Sequence, residues 1–163
     1  MDPVRPEYVP DPSRTRDEME ALQREIAAVA TFHDDFDFAP AAIGFESPVD
    51  TPDEGTHRPP GDGPIVAGVD QAFLGEGDRA LSAVVAMQDG AIVDRAHAVV
   101  DTEIPYIPGL LSFREGGAIL AALSHLTVVP DLLVLDGSGR IHFREAGLAT
   151  HVGVTLGVPA IGV

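Results

Sequence analysis

The sequence of 163 residues contains no cysteine, no lysine and no long apolar run. Without cysteine, disulfides, thiolate nucleophiles and thiolate metal sites are excluded. A membrane span needs about 20 consecutive apolar residues, so we expect a soluble chain with no transmembrane helix. The N-terminus "MDPVRPEYVP" has no basic-then-apolar signal layout, which favours the cytoplasm.

The charge is strongly one-sided. All ten basic residues are arginine, 26 residues are acidic, and the formal net charge is −16. Such an excess of acid usually argues against a nucleic-acid partner, because phosphates are met by cations. At molar salt, however, the Debye length shrinks to about 3 Å, and a carboxylate-rich surface without lysine is typical of an intracellular protein from a salt-adapted source. Net charge therefore excludes no class of partner.

Residues 1–64 form a predicted N-terminal arm, since they hold ten of the fourteen prolines and fifteen of the 26 acids. A capping box at Thr15 and Glu18 predicts one helix over about 16–31. The apolar residues at helical spacing in it are Met19, Leu22, Ile26 and Val29. The stretch 34–64 is rich in Pro, Asp and Gly and is interpreted as a linker without regular structure.

Residues 65–163 alternate strand-like and helix-like segments and form the predicted core. The predicted order is strands in 65–73, 80–87 and 91–100, a helix to about 126, a strand in 131–137, a helix in 144–157 and a strand from 159. "QDG" between the second and third strands predicts a hairpin turn. Three antiparallel strands and then helix–strand–helix–strand predict an α/β fold with a mixed sheet flanked by helices. Because the chain stops within its last strand, we expect it to be truncated at its C-terminus.

Three acidic residues abut apolar segments. Asp70 closes "IVAGVD", Asp136 closes "LLVLD", and Glu115 lies in the first turns of the helix after residue 109. Carboxylates at strand ends and on a helix can converge on Mg²⁺, or on Mn²⁺, which prefer oxygen ligands and leave positions for water and phosphate. Each acid taken alone is equally consistent with a solvated strand or helix cap.

A stiff segment, which we call the proline knuckle (residues 105–109), precedes that helix. Pro105 and Pro108 fix their own φ and restrict the residue before them, so Tyr106 and Ile107 are held on a rigid turn. Further along, "DGSGRIHFREAGLATH" contains a short Gly-x-Gly that is weak support for dinucleotide binding. His142 lies in that loop and His151 in the following helix. The sequence is equally consistent with a functional-site role and with a surface position for each of them. No close His pair is present, so a zinc site is not expected.

These motifs, in their order, resemble the endonuclease V family. The segments are "AGVD", "PYIPGLLSFREG", "PDLLVLDGSGRIHFREAGLATHVGV" and "PAIGV", and they cover about residues 65–163. The resemblance implies an RNase H-like fold and a metal-dependent DNA-repair endonuclease that nicks nucleic acid 3′ to deoxyinosine. It also implies Mg²⁺ as the cofactor, with Mn²⁺ as the alternative, and deoxyinosine-containing DNA as the partner, with RNA as the alternative. We expect a monomer without a protein partner.

The resemblance also implies residue roles. Asp70, Glu115 and Asp136 match the family's catalytic, metal-binding carboxylates. Tyr106, framed by Pro105, Ile107 and Pro108, matches its strand-separating wedge, since a rigid aromatic ring can intrude beside an unstacked base. The residues that match the pocket for the extruded base are Gly137, Gly139, His142 and Gly147.

The sequence departs from the family at several points. The family usually reads His-Pro-Arg where this chain has His142, Phe143 and Arg144, and a lysine follows its Ile-Gly-Val. The stretch "PVDTPDEGTHRPPGDG" before Ile65 is foreign to the pattern. Two alternatives to an active nuclease therefore stay open: a truncated, catalytically impaired remnant that binds inosine without cutting, and an unrelated phosphate-metabolising α/β enzyme.

Overall fold

The computed structural model describes residues 1–34, 36–44 and 61–163. Its helices and strands are α1 (Arg16–Val29), β1 (Val66–Leu74), β2 (Arg79–Gln88), β3 (Ala91–Asp101), α2 (Leu111–Ser124), β4 (Leu132–Leu135), α3 (Leu148–Leu156) and β5 (Ala160–Gly162). Single turns of 3₁₀ helix lie at Pro6–Tyr8 and Pro40–Ala42. Most of the linker predicted over 34–64 lies outside the described residues. Within the described part of the chain, no helix is long and apolar enough to cross a membrane.

The five strands form one mixed sheet in the order β3-β2-β1-β4-β5. β1, β2 and β3 are antiparallel neighbours, whereas β4 pairs in parallel with both β1 and β5. The hairpin predicted between β2 and β3 is confirmed, with Asp89 at φ 50° and Gly90 at φ 74°. Two successive positive φ angles are those of a type I′ turn, whose twist matches that of the strands, and glycine adopts this conformation without a Cβ clash. The predicted mixed sheet is therefore confirmed.

Two helices cover one face of the sheet. α2 contacts β2 and β3, and α3 contacts β4 and β5. The core between them includes Ala67, Val69, Val84, Ile119, Leu123, Leu133, Leu135, Leu148 and Val152. α3 begins at Leu148, so the predicted helix start at 144 is wrong. Residues before it form a loop because Glu145 has φ 52°, outside the helical region, and its amide donates to the His142 carbonyl.

α1 begins as predicted, with the Thr15 hydroxyl accepting from the Glu18 amide and the Glu18 carboxylate accepting from the Thr15 amide. Its stripe packs against the start of α2 in a second cluster, which contains Met19, Leu22, Ile26, Leu110, Phe113 and Ala146. Val29 was expected in this stripe but is 43% exposed. It is the last residue of α1, and the chain leaves the helix in an extended conformation at Ala30.

The N-terminal segment is tied to α3. The amides of Val4 and Arg5 both donate to the Thr155 carbonyl. His151 is fully buried, which rules out its interpretation as a surface residue. Its Nε2 lies 2.7 Å from the Tyr8 carbonyl oxygen and its Nδ1 lies 2.8 Å from the Ser112 hydroxyl. Because a carbonyl only accepts, Nε2 carries the proton and Nδ1 accepts from Ser112. Burial lowers the pKa of His151 to about 4, against which the Tyr8 contact works weakly, so the ring is neutral.

Candidate metal centre and nucleic-acid interface

The strand register brings two of the predicted carboxylates side by side. β1 and β4 are parallel, and Val69 pairs with Leu135. The next residue is acidic on both strands, Asp70 on β1 and Asp136 after β4. The Asp136 amide donates to the Val69 carbonyl at 3.2 Å, which extends the pairing. Asp70 and Asp136, both exposed, therefore occupy adjacent positions where the pairing of β1 and β4 ends.

The third carboxylate faces these two from α2. Glu115 is only 7% exposed. Burial raises the pKa of its carboxyl to about 7; the Arg114 guanidinium opposes the shift, whereas the negative charges of Asp136 and Asp70 add to it. The three residues, which we call the carboxylate edge, therefore interact through their charges. Neighbouring carboxylates that raise the pKa of one of their number are compatible with a cation site.

The side chains are not closed around an ion as they stand. In the described ranges, no three His, Asp or Glu side chains are grouped closely enough to hold a metal. The donor set is nevertheless all carboxylate oxygen, which suits Mg²⁺ and Mn²⁺. A buried carboxyl with two acidic neighbours also fits a cation, because a cation would relieve their repulsion. The ligand set inferred from the sequence is compatible with the structure and stays a prediction.

In the proline knuckle, one side chain is exposed to solvent and the next is packed against the protein. Tyr106 is 65% exposed, whereas Ile107 packs against the cluster of α1 and α2. The Leu110 amide donates to the Ile107 carbonyl at 3.0 Å, which closes the turn. Arg114 fastens the approach to the knuckle by donating from Nη1 to the Ile104 carbonyl at 3.3 Å. A rigid turn with an outward aromatic ring is therefore present as the two prolines predict.

A buried junction that sequence reasoning missed fastens the other end of the knuckle. Gln23 of α1 is 1% exposed, and its Nε2 donates to the carbonyls of Gly109 at 2.8 Å and Ala146 at 3.1 Å. Its Oε1 accepts from Arg144 Nε at 2.6 Å. We call these residues the Gln23 junction. The signal in the sequence is a polar residue on the buried stripe of α1, between Leu22 and Ile26.

The glycine-rich loop after β4 packs backbone against backbone. The Gly147 amide donates to the Gly139 carbonyl at 3.1 Å, and a Cβ on Gly147 would lie 2.1 Å from the Ser138 carbonyl oxygen. Only glycine permits that approach. Gly139 lines an open cavity of about 800 Å³, between the loop, α3 and the segment after α1. Gly137 and Gly147 are not among its lining residues, and support the loop instead.

His142 is not among the residues that line this cavity. Burial and the nearby Arg144 cation lower its pKa, against which a contact with the Gly109 backbone works weakly. Its Nδ1 accepts a hydrogen bond from the Arg144 amide at 3.2 Å. The structure therefore separates the predicted pocket residues into one that lines a cavity, two that shape its loop and one that faces the knuckle.

A mixed sheet of this topology, with acids on two adjacent parallel strands and on the facing helix, defines an RNase H-like core. The endonuclease V family matches residues 52–163, more than half of the chain. The chain belongs to the endonuclease V family. It is 58% identical to the endonuclease V of Haloarcula marismortui, over 99% of this chain and 60% of that protein, and 55% identical to that of Natronomonas pharaonis, over 100% and 58%. It thus spans about three fifths of the length of these relatives.

Solved endonuclease V structures share the fold. The Bacillus subtilis protein superposes with a TM-score of 0.75 at 22% identity, over 99% of this chain and 60% of that one. The Ciona intestinalis protein, in complex with a 24mer DNA that contains an inosine followed by a ribo-adenosine, gives a TM-score of 0.69 at 23% identity, over 90% and 56%. These comparisons confirm the RNase H-like fold and the family that the motifs resemble.

Proposed function

We propose that this chain carries the metal-binding and base-recognising part of an endonuclease that nicks DNA 3′ to deoxyinosine. The observation that carries the proposal is the register of β1 and β4, which makes Asp70 and Asp136 neighbours, close enough to Glu115 of α2 for both charges to raise its pKa. Carboxylates of three elements that are distant in the chain influence one another electrostatically there. A structural cap on each strand would not require their convergence.

The residues divide the chemistry between them. Asp70, Asp136 and Glu115 would hold Mg²⁺, or Mn²⁺, through carboxylate oxygens. When bound, the ion supplies Lewis-acid activation of water and stabilises the leaving oxygen. Glu115 must be ionised to act as a ligand, and its burial keeps bulk water from the side of the site formed by α2.

Recognition of the base is assigned to the knuckle and the glycine-rich loop. Tyr106, held by Pro105, Ile107 and Pro108, would stack beside the unpaired site, and Gly139 lines a cavity of a size that admits a base. Support for inosine comes from the Ciona intestinalis relative, which was solved with inosine-containing DNA. We propose DNA as the substrate, with RNA as the alternative, and a monomer that acts in DNA repair in the cytoplasm.

The test is a nicking assay on labelled duplexes that differ in one base, deoxyinosine or adenine, with Mg²⁺, Mn²⁺ or EDTA. Cleavage is expected for the inosine duplex with either metal. Asp70→Asn and Glu115→Gln should each lower the rate at least about 100-fold, as loss of a preorganised electrostatic group does. Asp101→Asn neutralises an exposed acid at the end of β3 and should change nothing. Cleavage in EDTA, or equal rates for the carboxylate and control variants, would refute the proposal.

The role of Tyr106 has its own test. Tyr106→Ala should lower the preference for the inosine duplex by about 5- to 150-fold, since base–aromatic stacking is worth about 1–3 kcal/mol. The unfolding midpoint should be unchanged, because the ring is largely exposed. A variant that is less stable but keeps its base preference would show that the ring packs rather than stacks. Binding of inosine DNA without any cleavage by the parent would favour the binding remnant.

A further inference from the structure

The loop before α3 displays a second aromatic ring that the proposed function does not use. Phe143 is 72% exposed. Single exposed apolar side chains are common on protein surfaces and need no explanation by themselves. Phe143 differs because the ring is held in place although it is not buried.

Its neighbours fix the ring from within the loop. The His142 ring stacks on it with centroids 4.4 Å apart and planes at 27°, and Arg144 Cζ lies 4.2 Å from its centroid. Arg144 is itself immobilised, with 11% of its side chain exposed and its Nε on Gln23. A cation over an aromatic face is attracted by the ring quadrupole. The orientation of Phe143 is therefore set by the Gln23 junction.

The ring stands next to the proline knuckle. A Cβ on Gly109 would fall within 2.3 Å of Phe143 Cζ, so the ring edge rests on the Gly109 backbone. Tyr106 precedes Gly109 by three residues, and three residues of chain span at most about 11 Å. Two exposed aromatic residues therefore belong to neighbouring segments: Tyr106 lies in the proline knuckle, and Phe143 contacts its last residue, Gly109.

Arginines lie near Phe143, among the acids of α1. Arg16 and Arg24 of α1 flank Glu20, and their side chains are 66% and 63% exposed. Arg144 lies 3.6 Å from the same carboxylate. Three arginines surround one acid here, whereas the whole chain carries a net charge of −16. Cations next to exposed aromatic rings are typical of surfaces that bind single-stranded nucleic acid.

From these contacts we infer that Phe143 stacks on an unpaired base of the bound strand, beside the base that Tyr106 contacts, while Arg16 and Arg24 face its phosphates. The inference rests on the proposed function. An aromatic contact is useful at high ionic strength, because screening weakens contacts between arginine and phosphate, whereas stacking does not depend on net charge. A protein from a salt-adapted source gains more from an additional ring than from an additional cation.

The test is binding of a fluorescent inosine-containing duplex, and of its adenine counterpart, followed by anisotropy without divalent metal at 0.1 M and 2 M KCl. Phe143→Ala should weaken binding of the inosine duplex by about 5- to 150-fold at both salt concentrations. Phe143→Trp should restore it, and Phe143→Leu should not. Arg16→Gln combined with Arg24→Gln should weaken binding at 0.1 M KCl and have little effect at 2 M.

The controls separate stacking from a structural role. Val129→Ala removes another exposed apolar side chain, 67% exposed, and should leave binding unchanged. Circular dichroism and thermal unfolding of Phe143→Ala should match the parent. Rescue by Phe143→Leu, or a lower unfolding midpoint in Phe143→Ala, would overturn the inference in favour of packing on Arg144. If the parent binds the inosine and adenine duplexes equally well, the proposed function fails. If the parent prefers the inosine duplex and Phe143→Ala binds it as tightly as the parent does, only this inference fails.

Discussion

The Gln23 junction and the carboxylate edge are two polar groups near α2 that differ in how their polar atoms are partnered; Gln23 and Glu115 are buried, whereas Asp70 and Asp136 are exposed. At the junction, both ends of the Gln23 amide have partners: two carbonyls accept from Nε2, and Arg144 donates to Oε1. At the carboxylate edge, like charges face one another, and the pKa of Glu115 rises to about 7 chiefly through burial. Satisfied polar groups rigidify a structure, whereas carboxylates with strongly shifted pKa values cluster at functional sites.

A substitution in the Gln23 junction should lower the free energy of unfolding more than one at the carboxylate edge. Gln23→Leu keeps the volume but leaves the Gly109 and Ala146 carbonyls and Arg144 Nε short of a partner, so we expect a loss of about 2–4 kcal/mol in the free energy of unfolding. Glu25→Leu, an exposed position on the same helix, should change it by less than about 0.5 kcal/mol. Urea unfolding of the two variants measures the difference. Equal stabilities would mean that the junction does not hold the loops together.

The buried His151 extends the comparison to a satisfied group that titrates. Its folded pKa of about 4 lies below the unfolded value of 6.5, so between these values the unfolded chain binds the additional proton. Its contribution is therefore complete above about pH 6.5 and is lost as the pH falls to 4, by about 3 kcal/mol.

The measurement is the free energy of unfolding at pH 7.5 and pH 4 for the parent and for His151→Gln. Glu115 has the opposite effect on stability, because its raised pKa favours the folded state as the pH falls from 7 to 4.5. Both proteins contain Glu115, so its contribution cancels when their losses of stability are compared. The parent should lose more stability than the variant on acidification. The same loss in both would show that His151 is not held neutral.

A substitution at the carboxylate edge should change stability least, and it should stabilise the folded protein, whereas Gln23→Leu destabilises it. Asp136→Asn removes one of the charges that repel Glu115, so without divalent metal at pH 8 the unfolding midpoint should rise by about 1–3 °C. Added Mg²⁺ should raise the midpoint of the parent and not that of the variant. Asp101→Asn serves as the matched control. A lower midpoint for Asp136→Asn would indicate a stabilising contact and remove the contrast with the junction.

Much of the fold was predictable because it depends on local signals. The capping box starts α1 at the expected residue, short apolar runs rich in valine predict β1 to β3, and Asp89–Gly90 predicts the hairpin. The start of α3 was mispredicted because the helical pattern continues into 144–147, where hydrogen bonds of the loop compete with the helix. Propensity cannot weigh such contacts.

For the candidate site, the sequence by itself determined which residues have the right chemistry and which are held stiffly: carboxylates after apolar runs, and a tyrosine between two prolines whose fixed φ acts within a few residues. Only the tertiary structure decided that Asp70 and Asp136 are neighbours, since strand order and register are long-range. It also decided that Gln23 binds Arg144, 121 residues away, and that His151 meets Tyr8, 143 residues away. Hydrogen bonds at that separation are formed only when the packed core brings the two segments together, and no local pattern encodes the partner.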